Sequence, residues 1–255
     1  MYPILHQIFA DHKGDVIFTC FGLWHLLYMA LIFGVIVGCV FAFKKRSNDA
    51  KKKCIRVAVD IAFGLYIADF FLMPFAYGQI DLEKLPFHMC TLMCILCFLS
   101  CHGLLLPKCR KQFALLGLVS NLIYVIYPAG VGSYQIHPLS YRVVQTLLFH
   151  GSMSAYGIFT LALGEEKLTW KSSLQEVPVI AGMTLWALLG NTLYNGTAGE
   201  YSHMFNWFFV IRDPFYILPE QIAPYVMPFI MVIVIYTADL LVYGAYFGMK
   251  KLASK

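Results

Sequence analysis

Residues 85–101, LPFHMCTLMCILCFLSC, concentrate the side chains that could do chemistry. Cys90, Cys94, Cys97 and Cys101 recur at steps of four, three and four, which places them along one face of a helix. Small polarizable side chains on such a face let it pack closely on a neighbour, and this reading suits Cys94, Cys97 and Cys101 best. Two rival chemistries use the same residues. Met89, Cys90, Met93, Cys94 and Cys97 have the softness of a Cu(I) ladder, with only Met204, Met227 and Met231 to extend it elsewhere. Cys94 and Cys97 also form a CxxC pair, a weak redox signal in so cysteine-rich a helix.

Cys90 stands apart from the other three. Pro86 suits the first position of a helix, which would leave Cys90 within a turn of the positive dipole end and favour its thiolate. Desolvation opposes that, so a nucleophilic Cys90 needs a basic partner. His88 is two residues away, about 200° around a regular helix that starts at Pro86. His150 and His25 are better placed as the base, and Asp69 or Asn191 could orient the imidazole. A thiol, an imidazole and an orienting polar group form the general acyl-transfer constellation.

The elements that must position these residues follow from composition. Of 255 residues 60% are hydrophobic and 13% charged, roughly half the charge of a soluble domain, so the chain belongs in a bilayer. The expected fold is all-α: one domain over residues 1–255, a bundle of seven transmembrane helices. The spans are expected near 16–43, 55–77, 86–106, 113–128, 143–163, 177–195 and 222–247. The N-terminus lacks the basic region of a cleavable signal, so the first span is expected to serve as its own insertion signal.

Basic residues set the expected orientation. Lys44, Lys45, Arg46, Lys51, Lys52, Lys53 and Arg56 follow span one, and Lys108, Arg110 and Lys111 follow span three. Lys167 and Lys171 follow span five, and Lys250, Lys251 and Lys255 follow span seven, leaving Lys13, Lys84, Arg142 and Arg212 on the opposite side. The positive-inside rule then puts the N-terminus outside and the C-terminus in the cytoplasm, with the plasma membrane the expected location. The net charge of +5 reflects this topology, and no nucleic-acid partner is expected. The segment after span six reads as an interfacial aromatic cap, with Asn195-Gly196-Thr197 matching a glycosylation sequon.

Each intramembrane polar residue costs several kcal/mol (roughly 2.5–3.5 for a charge at mid-helix), so each needs a reason. In this orientation His25, Asp69, His88 with Cys90, His150, and Asn191 with Asn195 all fall in the outer half, from five different spans. His150 lies about 12 Å into span five. Asp60, His102 and the embedded Asp239 belong to the inner half. A polar layer at one depth points to a cavity open to the outer side, with His25, Asp69, Asn191 and Asn195 as candidate substrate contacts.

Three places carry a family resemblance: Leu85-Pro86-Phe87-His88-Met89-Cys90, His150-Gly151, and the Asn191…Gly199…Tyr201…Met204-Phe205 region. In these the chain resembles the YwaF-like / transmembrane protein 164 family of seven-helix integral membrane proteins. Here GEYSHMF stands where that family tends toward an Asn-Tyr-Met-Phe-like run. The resemblance implies a phospholipid acyltransferase in which the motif cysteine, Cys90, carries the acyl chain. A neighbouring group of lipid hydrolases uses a Thr and a His, which keeps Thr91 in view.

The leading expectation is thus a lipid acyltransferase or transacylase: Cys90 as nucleophile, His150 as base, and His88 or Asn191 at the oxyanion or headgroup. Membrane lipids are the expected partners; no cofactor and no metal is expected, and no ATP or acyl-CoA site is visible. A carrier or channel for a small solute or soft metal is the alternative, with a polar path continuing through Asp239 and Asp60. A non-catalytic membrane subunit is the third reading.

Overall fold

A computed structural model describes residues 9, 11, 13–77, 82–164, 167–197 and 205–253. The described residues contain helices and no strand. The principal helices are α1 (Leu23–Lys44), α2 (Asn48–Tyr77), α3 (Met89–Cys101), α4 (Arg110–Ile126), α5 (Tyr141–Leu163), α6 (Val177–Thr197) and α7 (Ala223–Ala253). Six of them are long and apolar enough to cross a membrane.

Helix α3 is the one that falls short. Its 13 residues rise only about 20 Å, against a hydrocarbon core of about 30 Å. The expected span over 86–106 is therefore trimmed at both ends. Gly103 takes φ 73°, a left-handed conformation that a Cβ would penalise. Its N–H reaches the Ser100 carbonyl and the Leu104 N–H reaches that of Leu99, the paired bonds of a Schellman stop. At the other end Leu85–His88 forms a turn. The first regular helical bond runs from the Leu92 N–H to the His88 carbonyl, so His88 and not Pro86 heads the helix. Val16–Gly22 is also non-helical, although apolar: the Phe18 N–H bonds the Ile136 carbonyl and its ring is fully buried.

The chain forms two compact units. The first comprises residues 1–82 and 93–167, the second 83–92 and 168–255. In the first, α5 packs against α1, α2 and α4. Small residues bring these helices close. A Cβ on Gly157 would lie 2.5 Å from the Leu118 Cβ, and one on Gly151 would lie 3.1 Å from Ile32. Phe63 stacks on Phe98 with centroids 4.0 Å apart, and His102 meets Asp60 at 2.7 Å. Asp11 pairs with Arg142, whose guanidinium lies 4.5 Å from the Tyr134 ring centre.

In the second unit α6 packs on α7, with the segment after α6 folded against both. Phe87 supplies the hydrophobic anchor. Its ring lies 5.3 Å from that of Trp186 and 4.8 Å from that of Trp207, with Tyr194 edge-on at 5.9 Å. Gly190 makes this possible, since a Cβ there would lie 2.4 Å from the Phe87 ring. The Trp186 indole N–H donates to the Pro86 carbonyl at 2.8 Å. The Leu85–His88 turn is thereby fixed by contacts to α6 that hydropathy does not reveal.

Candidate functional site

The site residues expected from sequence fall into both units. Cys90, His88, Asn191 and Asn195 belong to the second, and His25, Asp69 and His150 to the first.

Cys90 is the second residue of α3 and is partly exposed. The first turn of a helix has N–H groups with no intrahelical acceptor. Burial is the larger effect on Cys90 and pushes its thiol up, while the N–H groups of Cys90 and Thr91, directed at the sulfur, partly oppose it. The Thr91 hydroxyl is turned away, donating to the His88 carbonyl at 3.1 Å. A hydroxyl bonded to the helix start in this way serves the turn itself. All eight cysteines are free thiols.

His88 lines a cavity of about 410 Å³ together with Glu83, Asn206, Trp207, Arg212 and Tyr216. Its wall is a segment strapped by side-chain amides. Asn191 donates to the Trp207 carbonyl and accepts from its N–H, both at 3.0 Å. Asn195 does the same to Phe205, at 2.8 and 3.0 Å. Asn206 in turn accepts from the Ile211 and Arg212 N–H groups and donates to the Arg212 carbonyl. Asp213 accepts from Phe215, Ile217 and Leu218, which holds its carboxyl below the usual range.

This strapping forces Phe208, Phe209 and Tyr216 to φ of 59°, 53° and 56°, uncommon for side-chain-bearing residues. The buried Trp207 indole N–H has no acceptor among the described residues. Asn191 and Asn195 thus act as clamps on the cavity wall. The Asn195 amide is buried and engaged at both ends, which leaves no room for a glycan on it. Gly199, Tyr201 and Met204, part of the family-like region, lie outside the described residues.

In the first unit, His150 meets Asn121 at 2.7 Å between Nδ1 and Oδ1. Asn121 donates its own amide to the Gly117 carbonyl and the Ser120 hydroxyl, so its Oδ1 must accept. That assigns the proton to His150 Nδ1 and the lone pair to Nε2, the tautomer a general base needs. Tyr124 stacks on the imidazole at 4.0 Å and 16° and so fixes its plane. Asn121 thus orients the imidazole from its Nδ1 side. It is a fully buried amide in α4.

His25 is differently engaged. Its Nδ1 accepts from the Phe21 N–H and its Nε2 donates to the Val125 carbonyl, each at 2.9 Å. Both nitrogens are occupied in shaping the entry to α1. Asp69 is buried within α2. Cys94 and Cys97 are fully buried, and the Cys97 thiol donates to the Phe113 carbonyl at 3.2 Å. Among the described residues no three His, Cys, Asp or Glu side chains gather to hold a metal ion.

The fold and these polar elements define a class, that of polytopic helical membrane proteins with a cysteine at the head of a short apolar helix. A family profile narrows the class: it matches residues 20–244, from just before α1 to within α7. The chain belongs to the TMEM164 family and is an integral membrane protein. No curated protein and no solved structure matches it.

Proposed function

We propose that this protein is a lipid transacylase that carries the acyl group on Cys90. The observation that supports the reading most strongly is the setting of that residue. Cys90 sits in the N-terminal turn of α3 with N–H groups aimed at its sulfur, two residues from a histidine that lines a polar-walled cavity.

The Cys90 sulfur attacks the carbonyl carbon of an acyl ester. A C–S bond forms, the C–O bond breaks, and the lysolipid oxygen leaves with the proton held by the base. An acceptor lipid hydroxyl then attacks the thioester, giving its proton to the base and returning the thiol. Bonds and protons balance with no nucleotide and no oxidant. Burial pushes the Cys90 thiol up and the first-turn N–H groups offset only part of that, so the attack requires a base to take the thiol proton. His150, with its Nδ1–H bonded to Asn121, carries the tautomer that such a base needs.

The cavity is the proposed headgroup site. His88 and Arg212 offer donors to a phosphate, while Glu83 offers an acceptor to a headgroup amine or hydroxyl. We place this cavity on the outer side of the plasma membrane, with the N-terminus outside and the C-terminus cytoplasmic, on the positive-inside reading of the basic loops.

Purified protein in nanodiscs, given phospholipid with a labelled acyl chain and a lysolipid acceptor, should transfer the label without added cofactor. Arg212→Gln should raise the lysolipid concentration needed for half-maximal transfer about tenfold, as loss of a charged hydrogen bond would. Absence of transfer across donor and acceptor headgroups, with lipid-loaded protein of native stability, would count against the reading.

A further inference from the structure

Between Asp213 and Glu220 the chain reads Pro-Phe-Tyr-Ile-Leu-Pro, an apolar tip outside any helix and wholly within the second unit. Phe215, Tyr216 and Ile217 are 78%, 91% and 79% exposed. A turn that faces water favours Gly, Asn, Asp and Ser at such positions. Three large side chains of this kind in a row mark a surface that something covers.

The backbone indicates what covers it. All four N–H groups from Phe215 to Leu218 end on one residue. Phe215 donates to Asp213 Oδ1 at 2.8 Å, and Ile217 and Leu218 donate to Oδ2 at 2.8 and 2.9 Å. Tyr216 donates to the Asp213 carbonyl at 3.2 Å and is held at φ 56°. The turn thus gathers its donors inward and presents its apolar side chains outward. Water makes no such demand, because it satisfies exposed N–H groups itself. A lipid environment does, since a donor there finds no partner outside the chain.

Position favours lipid over a second protein surface. The Ala223 N–H bonds the Pro219 carbonyl, so the tip leads directly into α7. That helix is long and apolar enough to cross the membrane, so its head lies at one membrane surface and the tip lies there with it. Ile222, Tyr225 and Phe229 are exposed as well, and the apolar exposure continues along the chain from the tip into the span. Aromatic rings are favoured at this level, where a tyrosine keeps its hydroxyl among the headgroups. Arg212, Asp213 and Glu220 flank the apolar stretch with charge. Tyr216 and Pro214 also line the cavity beside His88 and Arg212, which makes the tip one edge of its mouth.

We propose that residues 213–218 form a membrane-surface anchor, which seats Phe215, Tyr216 and Ile217 at the boundary of headgroups and acyl chains and opens the cavity mouth at that level. The partner that covers the tip is bilayer lipid. This placement holds whether or not acyl transfer occurs, and its test reads lipid contact alone.

The test uses the full-length protein in phosphatidylcholine nanodiscs that include a phosphatidylcholine with a photoactivatable diazirine in its upper acyl chain. Peptide mass spectrometry reads the lipid label, and hydroxyl-radical oxidation reads access to water. The wild type should take the label on the peptide containing Phe215 to Leu218 and resist oxidation at Tyr216. Phe215→Ser combined with Ile217→Ser, which alters neither Asp213 nor Tyr216, should lose most of that label and gain oxidation at Tyr216. The peptide containing Phe229 should keep its label throughout. If the variant does not fold, the wild-type measurement decides alone. A wild-type tip that is oxidised freely and unlabelled, beside a labelled Phe229 peptide, overturns the proposal by placing the tip in water. A tip shielded from both lipid label and radicals is covered by protein and overturns it as well. So does a folded serine variant labelled to the same extent as the wild type.

Discussion

Cys90 and Cys97 lie seven residues apart on one helix face, yet their surroundings have little in common. Cys97 is fully buried, donates to the Phe113 carbonyl, and has its sulfur 3.3 Å from where a Cβ on Gly117 would be. Cys90 is partly exposed, lies in the first turn, and has backbone N–H groups aimed at it. The residue type is constant and the helix end is not. A mid-helix thiol meets only side chains and carbonyls already in use, whereas a first-turn thiol meets donors that no helix bond consumes. Reactivity along this ladder is thus assigned by where α3 begins, and α3 begins late because Phe87 is held among Trp186, Tyr194 and Trp207.

The contrast is broken most sharply by exchanging chemistry at its two ends. Cys90→Ala should lower acyl transfer on the order of 10³-fold or more, as loss of a nucleophile does, with unfolding temperature nearly unchanged. Cys97→Ala should leave transfer intact and cost about 1 kcal/mol of stability through lost packing. Reversed outcomes would place the chemistry deeper in the helix.

Asn121→Ala ranks next. Freed of its acceptor, His150 can shift its proton to Nε2. Nitrogen NMR of labelled histidine should show the Nε2–H tautomer rising, which a purely structural role for Asn121 would not produce.

Gly190→Ala sharpens the comparison from the packing side. The new Cβ must displace the Phe87 ring, so about 1–3 kcal/mol of stability should be lost. Transfer should fall with it if the Leu85–His88 turn sets the start of α3. Phe87→Leu in the same background should restore part of both.

The smallest effect concerns Asp213. Its carboxyl is held below the usual range by three backbone N–H groups. Folding-linked support of the 213–218 turn is therefore complete above the ordinary carboxylate range and is lost as pH falls through the lowered value. Protease cleavage between Arg212 and Leu218 should increase on acidification. Asp213→Asn should be cleaved at every pH to the extent seen for the wild type in acid.

Much of this molecule was readable before its structure. The apolar runs located six membrane-length helices, because the bilayer imposes length and hydropathy directly. Helix α3 was found but overextended by five residues at its C-terminal end, where Gly103 was read as part of an apolar run instead of as a left-handed stop. Its N-terminal limit depended on an aromatic cluster drawn from α6 and residues 205–209, a contact at long range in sequence that no local pattern encodes.

At the site, the distinct standing of Cys90 was legible from its place near a helix start. Asn121 is not legible in the sequence, because nothing in the apolar pattern of α4 marks a neutral amide that fixes the His150 tautomer. Asn191 and Asn195 were recognised as needing a reason. The reason is the backbone of Phe205 and Trp207, and an amide's two ends suit a backbone N–H and carbonyl pair better than any single charge would.

The central claim is that Cys90 carries the acyl chain. Its most direct test is intact mass spectrometry of protein incubated with labelled phospholipid and quenched in acid, with and without hydroxylamine. The account predicts a mass increase of one acyl group, mapped to the peptide containing Cys90, removed by hydroxylamine and absent in Cys90→Ser. Full transfer by Cys90→Ser with no adduct on the wild type would contradict it.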